Sequence, residues 1–279
     1  MYKLILQKTA FANEQKQFLE EKLGTQLKEY TNRSEMILKK YPSSDDLLYV
    51  CSSFNFDVNV LPEGFQSENV KLVVSDMDST LINIECVDEI ADFAGVKAEV
   101  SKVTEAAMRG ELDFEGSLIE RVKLLEGLEE SALQRVYDER LKLNPGAEKM
   151  LQGLKENNIK FALVSGGFTF FTDRLKDRLA LDYTLSNTLE RENGKLTGTV
   201  VGDIVGAEAK AAFLLEKCRE LQISPNQVVA IGDGANDLKM MAEAGLGVAY
   251  HAKPRVQKEA DCSLNYCGLE GLLSLLLID

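Results

Sequence analysis

VKLVVSDMDST, residues Val70–Thr80, is an apolar run that ends abruptly in two carboxylates and two hydroxyls. Leu72, Val73 and Val74 read as a strand buried on both faces, the pattern of a central strand in a parallel sheet. Asp76 and Asp78 follow two residues apart. In extended backbone that spacing points both side chains the same way, at the strand's carboxyl end. Open α/β sheets bind their ligands at that end. There one carboxylate can attack a phosphorus atom while the other handles the leaving-group proton. Helix caps and solvated turns also use Asp, Ser and Thr, but a cap needs one such residue, not two carboxylates closing a buried strand.

Outward from this strand, Val70 onward alternates strands and helices in the manner of a doubly wound, Rossmann-like parallel sheet. Ile159–Val164 is a strand ending in Ser165-Gly166-Gly167, Val228–Ile231 ends in GDGAND at Gly232–Asp237, and Leu246–Ala249 is a third. Cys86–Leu143 is rich in Glu, Lys, Arg and Leu without strand signals and reads as an inserted helical cap over about 86–143. Tyr183–Val201, turning at Asn193-Gly194, reads as a β-hairpin excursion. Glu208–Leu221 is amphipathic, and the apolar tail Leu269–Asp279 is a final packed helix, far too short for a membrane span.

Residues 1–66 read as a separate module. Tyr2–Gln7 and Phe56–Leu61 alternate as strands, Asn13–Leu23 and Ser43–Phe54 have helical spacing, and Gln26–Thr31 with Glu35–Tyr41 forms a hairpin across Asn32-Arg33. The order β-α-β-β-α-β is that of a small ferredoxin-like α+β unit. Pro62-Glu63-Gly64 marks the boundary before a catalytic domain at 67–279. The module carries none of the catalytic motifs, so a chain beginning near Glu68 is expected to fold and act alone. The module's sheet face and edges then suit pairing with a second copy.

Composition narrows the chemistry. The 279 residues allow one large domain or two smaller ones with ample core. Lys+Arg 32 against Asp+Glu 45 gives a net charge of −13, which argues against a nucleic-acid partner. A phosphate site on such a surface needs local cations or a metal. The N-terminus shows no signal-peptide core, and the five cysteines show no CxxC spacing, so reduced thiols in the cytoplasm are the simplest reading. The single histidine, His251, excludes a histidine-phosphatase pair and a multi-histidine zinc site. Acid–base work therefore falls to carboxylates.

In a parallel sheet, the strand ends DMDST, SGG and GDGAND meet at one edge. The Ser165 hydroxyl can donate to a phosphate oxygen, and the glycines let backbone N–H groups approach. Asp233 and Asp237 suit a hard cation such as Mg²⁺, as oxygen ligands or as supports behind them, although Asp237 also fits a helix N-terminal charge. A metal is needed on energetic grounds, since two unit charges ~4 Å apart repel by about 4 kcal/mol at an effective dielectric of ~20. Lys210 is the candidate for a further cation, although a lone helical lysine is ordinarily solvated.

DMDST, Ser165-Gly166-Gly167, Lys210 and GDGAND resemble the four motifs of the haloacid dehalogenase superfamily. Within it the chain is similar to the phosphoserine phosphatases, further matching stretches being Glu85–Ala91, Met108–Val122 and Ala249–Pro254. The resemblance covers essentially Val70–Asp279. It implies Asp76 as nucleophile forming an aspartyl-phosphate, and Asp78 as acid and then base. It also implies Ser165, Gly166 and Lys210 on the phosphate, and Mg²⁺ on the Asp76 carboxylate, the Asp78 carbonyl and Asp233, with Asn236 and Asp237 supporting. In the cap it implies Glu85 near a substrate ammonium, Arg121 on its carboxylate, and Met108 and Phe114 closing the apolar side. A Glu and a forked Arg do complement a free amino acid. The residues are equally those of a solvated charged helical face.

The implied activity is hydrolysis of O-phospho-L-serine, the last step of serine biosynthesis. Residues 1–66 are similar in topology to ACT-type modules. Two other functions fit the same residues: a phosphotransferase passing the phosphoryl group to an alcohol such as homoserine, and a non-catalytic amino-acid sensor. An intact Asp76, Asp78, Ser165, Lys210 and Asp233 argues against the sensor.

Overall fold

The computed structural model of the chain describes every residue except Thr9 and Gly110, and every other side chain except those of Ser44, Leu48, Ser52, Ser53 and Met108. The N-terminal part comprises β1 (Tyr2–Leu6), α1 (Asn13–Leu23), β2 (Lys28–Glu29), β3 (Ser34–Leu38), α2 (Ser44–Phe54) and β4 (Val58–Val60). Its sheet runs β2-β3-β1-β4 with every neighbouring pair antiparallel, the order of a split β-α-β unit. Alternation in β1 sends Leu4 and Leu6 toward the helices, into a cluster with Leu19, Met36 and Phe56, while Ile5 faces the other way and joins the main core. α2 starts where the Ser43 hydroxyl accepts the Asp46 N–H at 3.1 Å, an N-cap. The first hairpin arm is shorter than the sequence suggests. The Leu27 N–H goes to Glu20 Oε1 at 2.9 Å, and only Lys28 and Glu29 pair with β3.

Beyond residue 66 the chain forms β5 (Leu72–Ser75), then four cap helices: α3 (Cys86–Ala94), α4 (Lys97–Met108), α5 (Phe114–Lys123) and α6 (Ser131–Glu139). The remainder is α7 (Ala147–Glu156), β6 (Lys160–Phe168), α8 (Thr169–Leu179), β7 (Tyr183–Glu192), β8 (Lys195–Val201), α9 (Ala207–Leu221), β9 (Val228–Gly232), α10 (Leu238–Glu243), β10 (Leu246–Tyr250), α11 (Pro254–Glu259), β11 (Cys262–Leu264) and α12 (Gly271–Leu275). Seven strands form one sheet in the order β11-β10-β9-β5-β6-β7-β8, parallel except for the last pair. β7 is thus a full member of the sheet rather than an excursion from it. β5 lies in the middle, buried on both faces: Val73 packs with Phe161, Leu163 and Ile231, and Leu72 and Val74 pack with Ala230, Phe213 and Leu214. Each such side chain contributes roughly 1.5–3 kcal/mol on burial. The chain leaves β5 for β6 on one side and returns to β9 on the other, so the crevice at their carboxyl ends is the switch point of the sheet.

The cap joins the core through two chain crossings that pair with each other. Ile82 bridges Leu143, the Asn83 N–H donates to the Lys142 carbonyl at 3.0 Å, and the Lys142 N–H returns to Asn83 Oδ1 at 2.8 Å. At its far rim the cap touches β8, where the Gly127 and Leu196 N–H groups reach the Leu196 and Leu128 carbonyls.

The open face of the N-terminal sheet is not free. Ile5 and Leu61 pack into the same core as Leu272, Leu275 and Leu276. The buried Asp57 carboxylate accepts the N–H groups of Asn265, Tyr266 and Cys267 at 2.7, 3.0 and 3.0 Å. The Asn59 amide pairs in both directions with Ser263 of β11, and Arg33, itself buried, joins Glu35 to Asp279 at 2.8 Å each. One edge and much of one face of the small sheet are therefore spent on the rest of the chain. Among the described residues no helix is long and apolar enough to cross a membrane.

Candidate active site

Three strand ends build the site. Asp76 directly follows β5, its N–H held by the Ile231 carbonyl of β9 at 2.9 Å. After it the backbone turns tightly through Met77–Leu81, with Ser79 at φ 57, and this turn carries Asp78. Met77 between the two carboxylates is fully buried and anchors the turn in the core. β6 runs on through Ser165-Gly166-Gly167 to Phe168 with a break in register after Val164, so the SGG segment lies within the strand. There Ser165 Oγ accepts the Gly167 N–H at 2.8 Å, which leaves its own hydrogen free to donate. A Cβ on Gly167 would stand 3.4 Å from Asp78 Oδ2 and 2.8 Å from the Met77 methyl, so glycine is what lets SGG approach the acid.

Lys210, on the first turns of α9, is not solvated but fully buried. Its Nζ lies 2.5 Å from Asp76 Oδ1 and 2.7 Å from Asp237 Oδ1. Burial alone would lower its pKa, but Asp237 and Asp76 win and raise it, so the ammonium stays charged. Asp237 also accepts the Gly234 N–H through Oδ2 at 3.1 Å, so both its oxygens are engaged. Asp233 is half-buried and accepts a hydrogen bond from Thr80 Oγ1 at 3.3 Å. Asn236 folds over Gly234, where an added Cβ would meet its Oδ1 at 2.2 Å.

One lysine does not neutralise this much acid. Burial, then Asp237, pushes Asp76 well above the usual carboxylate range. Burial and Glu85 lift Asp78 to about 7, and burial, Asp237 and Glu85 lift Asp233 to about 6. Carboxylate oxygens of Asp76, Asp233 and Asp237 all lie within 4.8 Å of one another. Such an excess of hard oxygen donors over cations fits a divalent metal ion.

The cap completes the site. The Cys86 N–H at the start of α3 donates to Asp78 Oδ2 at 3.2 Å, and Glu85 Oε1 accepts the Ser79 hydroxyl at 2.6 Å. α5, capped by Asp113 on the Gly116 N–H, carries Phe114 and Arg121. The Phe114 ring lies against Gly166 and Gly206, where Cβ atoms would meet it at 2.7 and 3.4 Å. Arg121 is half-buried with Nε 3.3 Å from the Ser117 carbonyl. Burial lowers its pKa, while Asp88, Glu85 and Asp78 raise it, which places it in the same acidic field. The side chain of Met108 lies outside the described residues.

Sequence reasoning missed Asn187. Buried on β7, its amide donates to the Gly166 carbonyl and accepts the Val205 N–H, both at 2.8 Å, and so ties the SGG segment to the loop that leads into α9. A buried amide in a strand demands partners. That signal was present at Asn187, but reading 183–201 as an excursion put it away from the site.

Residues 70–245 match a family model described as haloacid dehalogenase-like hydrolase. Over 223 residues the chain is 56% identical to the phosphoserine phosphatase of Polaromonas sp. (strain JS666), covering 78% of this chain and 94% of that protein. The unliganded structure of a probable phosphoserine phosphatase from Vibrio cholerae matches with a TM-score of 0.86 at 38% identity, over 99% of this chain and 86% of that one. A phospho-aspartyl intermediate analogue of phosphoserine phosphatase matches with a TM-score of 0.70 at 40% identity, over 74% of this chain and 98% of its own.

Proposed function

The chain belongs to the haloacid dehalogenase-like hydrolases, and on that premise we propose that it is a phosphatase hydrolysing O-phospho-L-serine to L-serine and inorganic phosphate. The observation that carries this reading is the meeting of Asp76, Asp78, Ser165, Lys210 and Asp233 at the carboxyl ends of β5, β6 and β9, beneath a cap that offers Glu85 and Arg121.

Asp76 Oδ1 is held by Lys210, which leaves Oδ2 to attack phosphorus. The bond from phosphorus to the serine oxygen breaks, and Asp78 donates its proton to that oxygen. Asp78 then takes a proton from water, which attacks the aspartyl-phosphate, releases phosphate and restores the Asp76 carboxylate. Asp78, lifted to about 7, is suited to both halves. Ser165 and the Gly166 N–H hold the phosphoryl oxygens. Asp76, Asp233 and the Asp78 carbonyl would hold Mg²⁺, with Asp237 and Asn236 behind them. When bound, the ion neutralises the repulsion between carboxylate and phosphate. Glu85 takes the substrate ammonium, Arg121 forks onto its carboxylate, and Phe114 closes the apolar side.

Residues 1–66 and 67–279 are proposed as the two domains, with the cap at about 86–143. Since one edge of the small sheet abuts β11, pairing of two copies would use its other edge, the exposed β2. The five free thiols support a cytoplasmic setting. The test is phosphate release from phosphoamino acids and sugar phosphates, with and without Mg²⁺. Phosphoserine should be the preferred substrate and EDTA should silence the reaction. Equal rates across the panel would refute the substrate assignment, and phosphohomoserine formed on adding homoserine would make the enzyme a transferase.

A further inference from the structure

Asn144 is the first residue after the cap's second crossing, next to Leu143 and just before α7. Its Nδ2 lies 3.2 Å from the Ser79 carbonyl oxygen, 2.8 Å from that of Thr80 and 3.0 Å from that of Ile82. Its backbone N–H donates to the Leu81 carbonyl at 3.0 Å. One residue thus gathers the carbonyls of positions 79, 80, 81 and 82. All three side-chain partners are acceptors, so only the nitrogen can face them, and two amide protons are shared among three oxygens.

Those carbonyls belong to the turn that carries Asp78. It includes the non-glycine Ser79 at φ 57, a left-handed conformation that persists only when the surroundings impose it. Around the turn the Ile82 N–H reaches the Met77 carbonyl (3.0 Å) and the Ser79 N–H reaches the Ile84 carbonyl (3.2 Å). Backbone carbonyls need donors, and Asn144 supplies them at positions 79 to 82. Residues 82–83 and 142–143 are where the chain crosses between core and cap. Asn144 therefore stands between that crossing and the acid–base carboxylate.

We propose that Asn144 is a positioning residue for Asp78: it locks the turn at 78–82 so that the carboxylate faces the leaving-group oxygen. The side-chain bonds of Asn144 all go to backbone carbonyls of the turn. Its effect is on proton delivery, and a displacement of about 1 Å at such a group costs on the order of a hundredfold in rate. The proposal rests on the phosphatase reading only through the acid role of Asp78.

The experiment compares kcat/KM for phosphoserine and for p-nitrophenyl phosphate in wild type, Asn144→Ala and Asn144→Ser. Melting temperature and the inhibition constant of L-serine are measured alongside. A serine alkoxide needs a proton to leave and a nitrophenolate does not. Asn144→Ala should lower kcat/KM for phosphoserine at least about tenfold more than for the aryl ester, with the L-serine constant within about twofold of wild type. Asn144→Ser, which keeps one donor, should fall between. Equal losses on both substrates, or no loss on either, would overturn the proposal. If Asn144→Ala does not fold, the same ratio read on Asn144→Ser decides. If the wild type does not hydrolyse phosphoserine, the substrate reading fails separately. The comparison then runs on any alkyl and aryl phosphate that the enzyme does cleave.

Discussion

Lys210 Nζ and Asp76 Oδ1 are 2.5 Å apart, the lysine fully enclosed and the carboxylate nearly so. Asp237 closes the group from the other side at 2.7 Å. Nothing else described within hydrogen-bonding reach of Asp76 brings a positive charge, so the lysine both restrains the attacking carboxylate and keeps its burial tolerable.

Replacing it should therefore be costly in two ways. Lys210→Met strands Asp76 and Asp237 without their cation, and breaking a buried pair destabilises by roughly 3–5 kcal/mol. Denaturation by urea should show that loss at pH 7 and a smaller one at pH 5, where Asp76, held above the usual carboxylate range by burial, takes up a proton. Phosphate release should be abolished. A variant as stable as wild type at both pH values would contradict the buried pairing.

The raised acids give a pH dependence with a definite sign. Asp78 moves from 3.8 to about 7 and Asp233 to about 6, so each binds its proton more tightly folded than unfolded. The stability each contributes is full below the unfolded value and is lost as pH rises through the folded one. In EDTA, Asp78→Asn should thus gain stability relative to wild type between pH 4 and 8. Added Mg²⁺ should stabilise wild type more at pH 8 than at pH 5. A mutant-minus-wild-type difference that stays flat over this range would show that Asp78 titrates as an ordinary carboxylate.

Arg121 should separate recognition from chemistry. A hydrogen bond to a charged group is worth roughly 1.5–3 kcal/mol, so Arg121→Ala should raise KM for phosphoserine about ten- to a hundredfold. An aryl phosphate, which has no carboxylate to lose, should be affected much less. Equal losses would assign Arg121 to the fold of α5 or to the phosphate.

The N-terminal part should prove to be a packed element of the whole. Asp57→Ala leaves three backbone N–H groups of residues 265–267 without their acceptor. The expected cost is roughly 1–3 kcal/mol in denaturation by urea. A chain beginning near Glu68 would expose Leu272, Leu275 and Leu276, and light scattering should show it aggregating. A soluble, fully active truncation would contradict this and show a module that the catalytic domain does without.

The catalytic half was legible because its signals are local. Leu72–Val74 lies between two cores, and Asp76 and Asp78 end the strand, facts that a dozen residues display without their neighbours. The βα alternation then fixes which strand ends meet. β11, three residues long, offers too little pattern to read. The ties of Asp57 to Asn265 span 208 residues, so no local rule announces them. Lys210 was legible as a candidate but not as buried, because its partners Asp76 and Asp237 come from other strand ends. Asn144 is hidden for the same reason: it serves carbonyls far away in sequence.

The central claim is that Asp76 carries the phosphoryl group. Acid quenching during turnover of ³²P-labelled phosphoserine, followed by peptide mapping, tests it most directly. The expected result is hydroxylamine-labile label on the peptide that contains Asp76, absent from Asp76→Asn and reduced in Asp78→Asn, which lacks the acid that lets the serine oxygen leave. Label on any other residue, or normal turnover by Asp76→Asn free of deamidation, would contradict it.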